Sequence, residues 1–520
     1  MAGDSEAGVR EGLSSVTKGT LFLLVATLSL VGLTFISRVL VVRSISPADW
    51  SAYSFDLTLT GVLVAIGSLG LPSSVARSLP YAGTDAERRT IIRTTMWVGG
   101  IAAFAASALL FVFARPIGNT LGSSEIGFGL QYFPIAVGTG IMSTLIASIF
   151  QGYEDVAPNA LYVQIVNPAL FVAFVSFGYL YPPTGLDYAG TLIAYAAANA
   201  LTLILLIVYL VRRLPRHIQP GPRAPETARN FLRFTAPLFV VGVMVAVTGS
   251  GDTLILGIYH HPSVGTYTVS LTLARLLQIG ITAAAYIFLP VASKFARTKD
   301  LRSIETTYTT VTKWMLLVSL PLFLLFVFVP GESLGFVYGP SYTAIVLPLQ
   351  IVVAGAFVTT VLGPAPTAQV AVGQTRLLAT NAIVAGLVDV IVAFALVPTY
   401  SYVGAALAWG AANATYSALS AVELASSTRV HPFHRHFVVP LLATALPVGL
   451  VLGVLKPNLP WWSLPGLGLG IAGLFVVLVV ITRSIDEGDR LLLEAVERLV
   501  GRPLPFVRRL GRYALRRRSV

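Results

Sequence analysis

Charged side chains interrupt several long apolar runs of this sequence, and they are its main candidates for chemistry. Four of them are Arg38, Asp56, Asp252 and Arg275. An arginine at the centre of a bilayer costs about 2.5 to 3.5 kcal/mol on insertion scales, so such residues need a partner or an aqueous cavity. Because a guanidinium group can donate two parallel hydrogen bonds to phosphate oxygens, we expect Arg38 and Arg275 to bind an anionic headgroup.

The two aspartates allow more than one interpretation. Asp56 and Asp252 could neutralise the arginines of an empty site, or bind a coupling Na⁺ or H⁺. In the alternative, Arg38 with Asp252 and Arg275 with Asp56 form fixed ion pairs that only set the packing. No other cofactor is expected.

Two tyrosines stand at corresponding places in the sequence. Tyr53 and Tyr267 are 214 positions apart, and each begins a predicted apolar span at its outer end. Their rings could stack on a sugar, so both are candidate substrate-binding residues. The commoner role of such tyrosines is to anchor a span in the aromatic belt at the membrane surface.

The apolar runs that carry these residues identify the class of protein. Of the 520 residues 55% are hydrophobic and only 11% are charged, which is typical of a polytopic, all-α membrane protein. We predict fourteen transmembrane helices, near residues 19–42, 53–78, 92–114, 129–151, 157–180, 188–211, 234–258, 264–292, 312–330, 344–363, 377–397, 403–427, 437–455 and 460–482. Pro364 and Pro366 should break or kink the end of the tenth.

An internal repeat organises these spans. Gly190–Ala200 recurs as Gly404–Ala414 at the same offset of 214 residues. Each copy holds six spans, so the two copies enter the membrane in the same orientation and form two parallel six-helix repeats, related by a pseudo-twofold axis along the membrane normal. The sequence therefore divides into a cytoplasmic N-terminus (1–18), an N-lobe (19–213), a linker (214–233), a C-lobe (234–427), a two-helix appendage (428–483) and a basic tail (484–520).

The net charge of +12 reflects topology and not nucleic-acid binding. Most Lys and Arg residues lie in both tails and in the even-numbered connections, which by the positive-inside rule places both termini in the cytoplasm. In the tail, residues 485–500 are predicted to form an amphipathic helix on the inner leaflet, and the arginines of 508–518 should bind anionic headgroups. We expect a monomer in the plasma membrane.

Enzymatic activity is not expected. The connections are too short for a catalytic domain, and the chain has neither cysteine nor a phosphate-binding loop, a nucleophile motif or a His/Cys metal cluster. No metal site is predicted, since His260 and His261 fit a solvated turn. Asp389 and Glu423 are interpreted as structural.

Several segments in order resemble the polysaccharide (Wzx-type) flippases of the multidrug/oligosaccharidyl-lipid/polysaccharide exporter superfamily. They are Arg38–Tyr53, Gly67–Arg77, Pro237, Asp252–Gly257, Val264–Tyr267, Tyr338–Tyr342, Gly373–Arg376 and Val403–Ala406. The resemblance covers residues 19–483, although Ser51 and Ala52 precede Tyr53 where the family usually has glycine.

This resemblance implies two six-helix lobes and alternating access. It also implies that polyprenyl-phosphate- or pyrophosphate-linked glycans move from the inner to the outer leaflet, with Arg38 and Arg275 as headgroup contacts. A MATE-like drug/cation antiporter or a lipid II-type flippase remains the alternative. A major-facilitator transporter is disfavoured because Leu79–Arg89 lacks the expected Gly and Asp-Arg spacing.

Overall fold

The computed structural model describes residues 2–180, 187–214, 225–455, 460–485 and 488–489, and this part of the chain is helical without strands. Twenty α-helices follow one another: α1 (Ala2–Ser44), α2 (Pro47–Gly67), α3 (Leu71–Tyr81), α4 (Asp85–Thr120), α5 (Ser124–Gly129), α6 (Phe133–Gly152), α7 (Asn167–Leu180), α8 (Tyr188–Arg213), α9 (Pro225–Thr248), α10 (Gly251–His260), α11 (Val264–Leu277), α12 (Ile279–Arg297), α13 (Leu301–Phe328), α14 (Pro330–Tyr338), α15 (Val346–Leu362), α16 (Ala365–Ala371), α17 (Thr375–Tyr400), α18 (Tyr402–Thr428), α19 (Arg435–Leu455) and α20 (Leu464–Ile481). A π-helical stretch, Asn159–Val166, leads into α7.

Twelve helical segments of the described residues are long and apolar enough to cross a membrane, against the fourteen spans predicted. Of the predicted span 234–258, only the residues from Gly251 onward fall within one of the twelve, Gly251–Tyr286, and the predicted span 403–427 has no counterpart among them. The first corresponds to α9 and α10, two separate helices, and the second to α18, whose Ala, Ser and Asn residues make it less apolar. The protein is a multi-pass membrane protein, while the count of fourteen remains a prediction.

The predicted second and eighth spans are each interrupted. Between α2 and α3, Leu69 and Gly70 have φ values of 54° and 70°. A Cβ atom on Gly70 would lie 2.5 Å from the backbone N of Phe239, so the left-handed turn and the close approach of α9 both favour glycine there. The eighth span is divided at Gln278, between α11 and α12.

The predicted break at the end of the tenth span is confirmed. Helix α15 ends at Leu362, and α16 begins at Ala365 after Gly363, which has a φ of 70°. The Tyr308 hydroxyl donates to the Leu362 carbonyl, which fixes this helix end against α13.

The described residues divide into two compact units by their contacts. The N unit consists of Val25–Thr268 and Ala393–Tyr402, and the C unit of Met1–Leu24, Val269–Val392 and Val403–Val520. A buried cluster in the C unit joins α13 to α19 and α20 through Leu320, Phe437 and Phe475. The predicted boundaries of the lobes, linker and appendage stay predictions.

Most of the predicted linker and tail lies outside the described residues, and so do the arginines of 508–518. The described part of the tail differs from a surface helix. Gly488 and Asp489 are buried against α13, where a Cβ on Gly488 would meet Thr310 Oγ1 at 2.1 Å. They are held there by the buried Lys313 of α13, whose Nζ atom donates to the Ser484 carbonyl and to Asp489 Oδ2.

Candidate substrate site

The N unit brings three of the predicted site residues together: Arg38, Tyr53 and Asp56. Arg38 is half-buried on α1 and lies within electrostatic range of the Tyr53 hydroxyl on α2 and the Tyr195 hydroxyl on α8. Asp56 is on the next turn of α2 after Tyr53 and is fully buried. One cation, one carboxyl group and two phenol groups therefore share the interior of this unit.

An aromatic cluster surrounds Tyr53. Its ring centroid lies 5.8 Å from that of Trp50, 6.0 Å from that of Phe133 and 6.2 Å from that of Tyr195. The Tyr53 side chain is only 2% exposed. The expectation that Tyr53 anchors α2 in an interfacial aromatic belt is therefore wrong, because its ring packs inside the protein.

Asp56 is held by Tyr188, a residue that the sequence analysis missed. The Tyr188 hydroxyl lies 3.3 Å from Asp56 Oδ2 and 3.2 Å from the backbone carbonyl of Glu125. A phenol has one hydrogen to donate, so it cannot fully satisfy both acceptors at once. Among the described residues, the buried Asp56 Oδ1 atom has no hydrogen-bond partner. A carboxylic acid at Asp56 could donate to Tyr188 while Tyr188 donates to Glu125.

A polar network continues from the aromatic cluster along α8. Asn199 Nδ2 donates to the Tyr195 carbonyl at 2.9 Å, and Asn167 Nδ2 lies 3.3 Å from Asn199 Oδ1 and 3.2 Å from Thr202 Oγ1. Tyr195 and Asn199 belong to the repeated segment Gly190–Ala200. That repeat was the sequence signal that could have identified them.

Asp252 and Tyr267 form a second polar pair in the N unit. The Tyr267 hydroxyl donates to Asp252 Oδ2, and the Thr253 amide donates to Asp252 Oδ1 at 2.7 Å. Tyr267 is fully buried, so the belt expectation is wrong for it as well. Here the tyrosine positions a carboxyl group and does not face the membrane surface.

Arg275 belongs to the C unit and lies in the last turn of α11, where its side chain is exposed. The C unit also contains Glu423, which accepts hydrogen bonds from Gln369 at 2.8 Å and from Asn381 at 2.7 Å. These contacts agree with the structural role predicted for Glu423. Asp389 is 1% exposed.

Known structures with this fold define the class of protein. A structure of the lipid II flippase MurJ in an inward closed conformation is similar with a TM-score of 0.68, at 14% identity, over 88% of this chain and 98% of that one. An inward-facing MATE family multidrug resistance transporter is similar with a TM-score of 0.61, at 13% identity, over 78% and 98%. The fold is that of multi-pass membrane transporters.

Sequence comparison then gives the family. Residues 16–296 match the polysaccharide biosynthesis protein family, and the chain belongs to it. The succinoglycan biosynthesis transport protein ExoT of Rhizobium meliloti (strain 1021) is 21% identical over 236 residues, which are 42% of this chain and 44% of that relative. The match thus spans less than half of the relative's length. The matched proteins are named as a transport protein, a flippase and a multidrug transporter, and these names agree with the transporter class expected from the sequence.

Proposed function

We propose that this protein flips lipid-linked oligosaccharide or polysaccharide precursors from the inner to the outer leaflet of the plasma membrane, by alternating access, for the synthesis of cell-surface glycans. The family match over residues 16–296 supports a polysaccharide pathway. The single structural observation that carries the proposal is the half-buried Arg38, which lies within electrostatic range of Tyr53 and Tyr195. A cation within a membrane helix can bind the phosphate of a phosphorylated glycan, and aromatic groups near it can contact the sugar.

The proposed substrate contacts divide into charged and aromatic groups. Arg38 and Arg275 bind the phosphate or pyrophosphate of the polyprenyl carrier, since one charge pair at 4 Å contributes about 4 kcal/mol at an effective dielectric constant of 20, before desolvation. Tyr53 is buried in the conformation described here, so its proposed contact with the sugar belongs to another state of the transport cycle. Asp252, held by Tyr267, contributes negative charge that balances the arginines when no substrate is bound.

Asp56 is the proposed coupling group. A charged carboxylate in a membrane interior is costly unless a cation or a proton neutralises it. The buried Oδ1 atom, together with the two acceptors that compete for the Tyr188 hydroxyl, favours a proton on Asp56 in the conformation seen here. Release and uptake of this proton would couple the substrate movement to the proton gradient.

The remaining features of the proposal come from the sequence. The protein acts as a monomer with two parallel repeats, both termini are cytoplasmic, and the basic tail binds anionic lipid. No cofactor besides the coupling ion is involved.

The first experiment measures the leaflet distribution of the lipid-linked precursor in cells that lack this protein. Restoring the wild-type chain should clear an inner-leaflet pool, whereas Arg38→Ala and Arg275→Ala should leave most of the pool in place. Arg43→Ala is the matched control, because Arg43 is exposed at the end of the same helix as Arg38. Each variant must reach the membrane at the wild-type level.

The outcomes separate the competing functions. If the double arginine variant clears the pool as well as the wild type, the arginines do not bind the headgroup. If no precursor accumulates in the deleted strain but the cells become sensitive to cationic drugs, a MATE-like antiporter replaces the proposal. If the accumulating precursor carries the peptidoglycan disaccharide, the protein is a lipid II-type flippase.

A further inference from the structure

Two histidines and a glutamate meet on the C unit, outside the proposed substrate site. Glu305 lies in the first turns of α13, and His431 and His434 lie on the connection between α18 and α19. The His434 Nε2 atom is 3.0 Å from Glu305 Oε1, and the His431 Nε2 atom is 3.8 Å from the same oxygen. Within the described residues, this is the one group of three such side chains whose ligand atoms converge, all within 4.8 Å.

We propose that Glu305, His431 and His434 bind a divalent transition metal ion, with Zn²⁺ as the best fit. Zn²⁺ binds imidazole nitrogen at about 2.0 to 2.1 Å and carboxylate oxygen at about 2.0 to 2.2 Å, so ligand atoms in a tetrahedral site are about 3.3 to 3.5 Å apart. The separations of 3.0 and 3.8 Å bracket this value. Small side-chain rotations therefore suffice to bring the three atoms around one ion.

The chemistry of the three ligands selects the metal. Imidazole suits zinc, nickel and copper, whereas Mg²⁺ and Ca²⁺ prefer sites built from oxygen. Three protein ligands leave a fourth position for water, as in open zinc sites. Two neutral imidazoles and one carboxylate place a net charge of about +1 on a zinc complex, which a half-exposed site can accommodate.

Buried residues on both sides of the histidines fix their positions. Val430, next to His431, packs with Ile304 and Tyr308 in one buried cluster of the C unit. Phe437, three residues after His434, is fully buried in the cluster that joins α13 to α19 and α20. Because Ile304 directly precedes Glu305, the two clusters hold the backbone near all three ligands, so only the ligand side chains need to rotate to bind the ion.

The two histidine rings stack on each other. Their centroids are 4.8 Å apart and their planes differ by 21°, so both rings lie on the same side of the site. Nε2 is the His431 nitrogen that faces Glu305. The Nδ1 atom of His431 is buried and has no hydrogen-bond partner in the described part of the chain. Helix α13 also holds the loop directly, since Thr309 Oγ1 lies 3.5 Å from the His431 carbonyl.

A bound ion would join two segments that are distant in sequence. Glu305 and His434 are 129 residues apart, so a metal ion would clamp the start of α13 to the residue that precedes α19. On the proposed topology both segments face the cytoplasm. The clamp would fix α19 to α13 within the C unit and make the stability of this unit depend on the metal.

The test uses the full-length purified protein with an affinity tag that contains no histidine, after treatment with a chelator. Titration with Zn²⁺, followed by isothermal calorimetry and by metal analysis of the washed protein, should give one ion per chain and a higher melting temperature. Mg²⁺ should give neither. Glu305→Gln should weaken Zn²⁺ binding at least about tenfold, since loss of outer-shell groups alone weakens metal sites about 10- to 100-fold. The double variant His431→Asn/His434→Asn should abolish binding.

Matched controls separate this site from other histidines. His436→Asn removes a neighbour of the cluster, and His260→Asn/His261→Asn removes the other adjacent pair; both should bind Zn²⁺ as the wild type does. Binding that survives in the His431/His434 variant, or that is lost equally in the His260/His261 variant, would overturn the proposal. Should a variant not fold, the zinc X-ray absorption spectrum of the wild-type protein decides, because two imidazoles and one carboxylate are required.

Discussion

Thr268 Oγ1 lies 3.1 Å from Ser54 Oγ, and the two residues are 214 positions apart. The Gly265 amide donates to Ser51 Oγ at 3.0 Å over the same interval. Each contact therefore pairs a residue with its own equivalent under the sequence repeat. Around a twofold axis, residues near the axis contact their equivalents in this way. These contacts support the proposed duplication, and on that proposal α2 and the start of α11 lie near its axis.

Gly265→Ala should destabilise this contact. A Cβ atom at position 265 would lie 2.4 Å from Ser51 Oγ and 2.8 Å from Trp50 Cδ1, so α2 and the start of α11 must separate. The two helices would also lose the hydrogen bond from Trp50 Nε1 to the Gly265 carbonyl, now 3.1 Å long. Overpacking of this kind costs about 1 to 3 kcal/mol. Thermal unfolding of the purified variant in detergent should show a lower melting temperature.

Gly242→Ala is the control for this experiment. Gly242 lies within α9, where an added Cβ has no atom within 4 Å. Alanine favours a helix over glycine by about 0.8 to 1.0 kcal/mol, so this change should leave the melting temperature equal or slightly higher. Equal losses in the two variants would mean that the contact around Gly265 does not contribute to stability.

The sequence predicted the apolar spans and their charges well because both depend on local composition. The apolar runs around Arg38 and Asp56 are helical, as predicted. A helix also ends just before Pro364, as expected because proline disrupts helices. The sequence could not show that the side chains of Tyr53 and Tyr267 point inwards. The direction of a side chain depends on which helices pack beside it. The local sequence of one helix does not show which other helices those are.

The partners of the buried aspartates were unpredictable for the same reason. Tyr188 is 132 residues from Asp56, and nothing local marks it as a ligand of a carboxyl group. The Glu305, His431 and His434 cluster was also missed, since Glu305 is more than one hundred residues from the two histidines. The histidine pair that the sequence analysis considered, His260 and His261, lies elsewhere, with His260 Nε2 3.2 Å from the Pro398 carbonyl.

Gly129→Ala should disrupt the Asp56 site without touching its charged groups. A Cβ atom there would lie 2.0 Å from Asp56 Oδ2 and 2.2 Å from the Tyr188 hydroxyl, so the contact between these groups must break. We expect substrate flipping to lose most of its dependence on the proton gradient, as it should in Asp56→Asn. Flipping in proteoliposomes with an imposed pH difference measures this. Gly100→Ala, where the added Cβ meets no atom within 4 Å, should behave as the wild type. Full proton dependence in Asp56→Asn would refute the coupling role.

Helices α15 and α18 touch through two glycines, and the two should respond differently to alanine. A Cβ on Gly355 would lie 2.6 Å from Gly410 Cα, a backbone atom that cannot rotate away, whereas a Cβ on Gly410 meets its nearest atom, the Ile351 carbonyl oxygen, at 3.6 Å. Small residues allow such close approach between membrane helices. Gly355→Ala should therefore lower the melting temperature, and Gly410→Ala should change it little. A reversed order would show that the two helices are not in this register.

The ion pair between Lys313 and Asp489 should be the most sensitive polar contact of the C unit. Lys313 is fully buried in α13, with its Nζ atom 2.8 Å from Asp489 Oδ2 and 2.7 Å from the Ser484 carbonyl. Trp314 Nε1 donates to Asp489 Oδ1 at 2.5 Å. Removing one partner of a buried pair costs about 3 to 5 kcal/mol, because the other charge is left uncompensated.

Lys313→Met and Asp489→Leu should therefore each lower the melting temperature strongly, while the double variant should recover much of the loss, because apolar replacement of a whole buried pair is often close to neutral. Asp300→Asn is the control, since Asp300 caps the start of the same helix, where its carboxylate accepts from the Ser303 amide at 3.1 Å, and an asparagine can still cap. A double variant whose loss equals the sum of the single losses would show that the two charges do not interact.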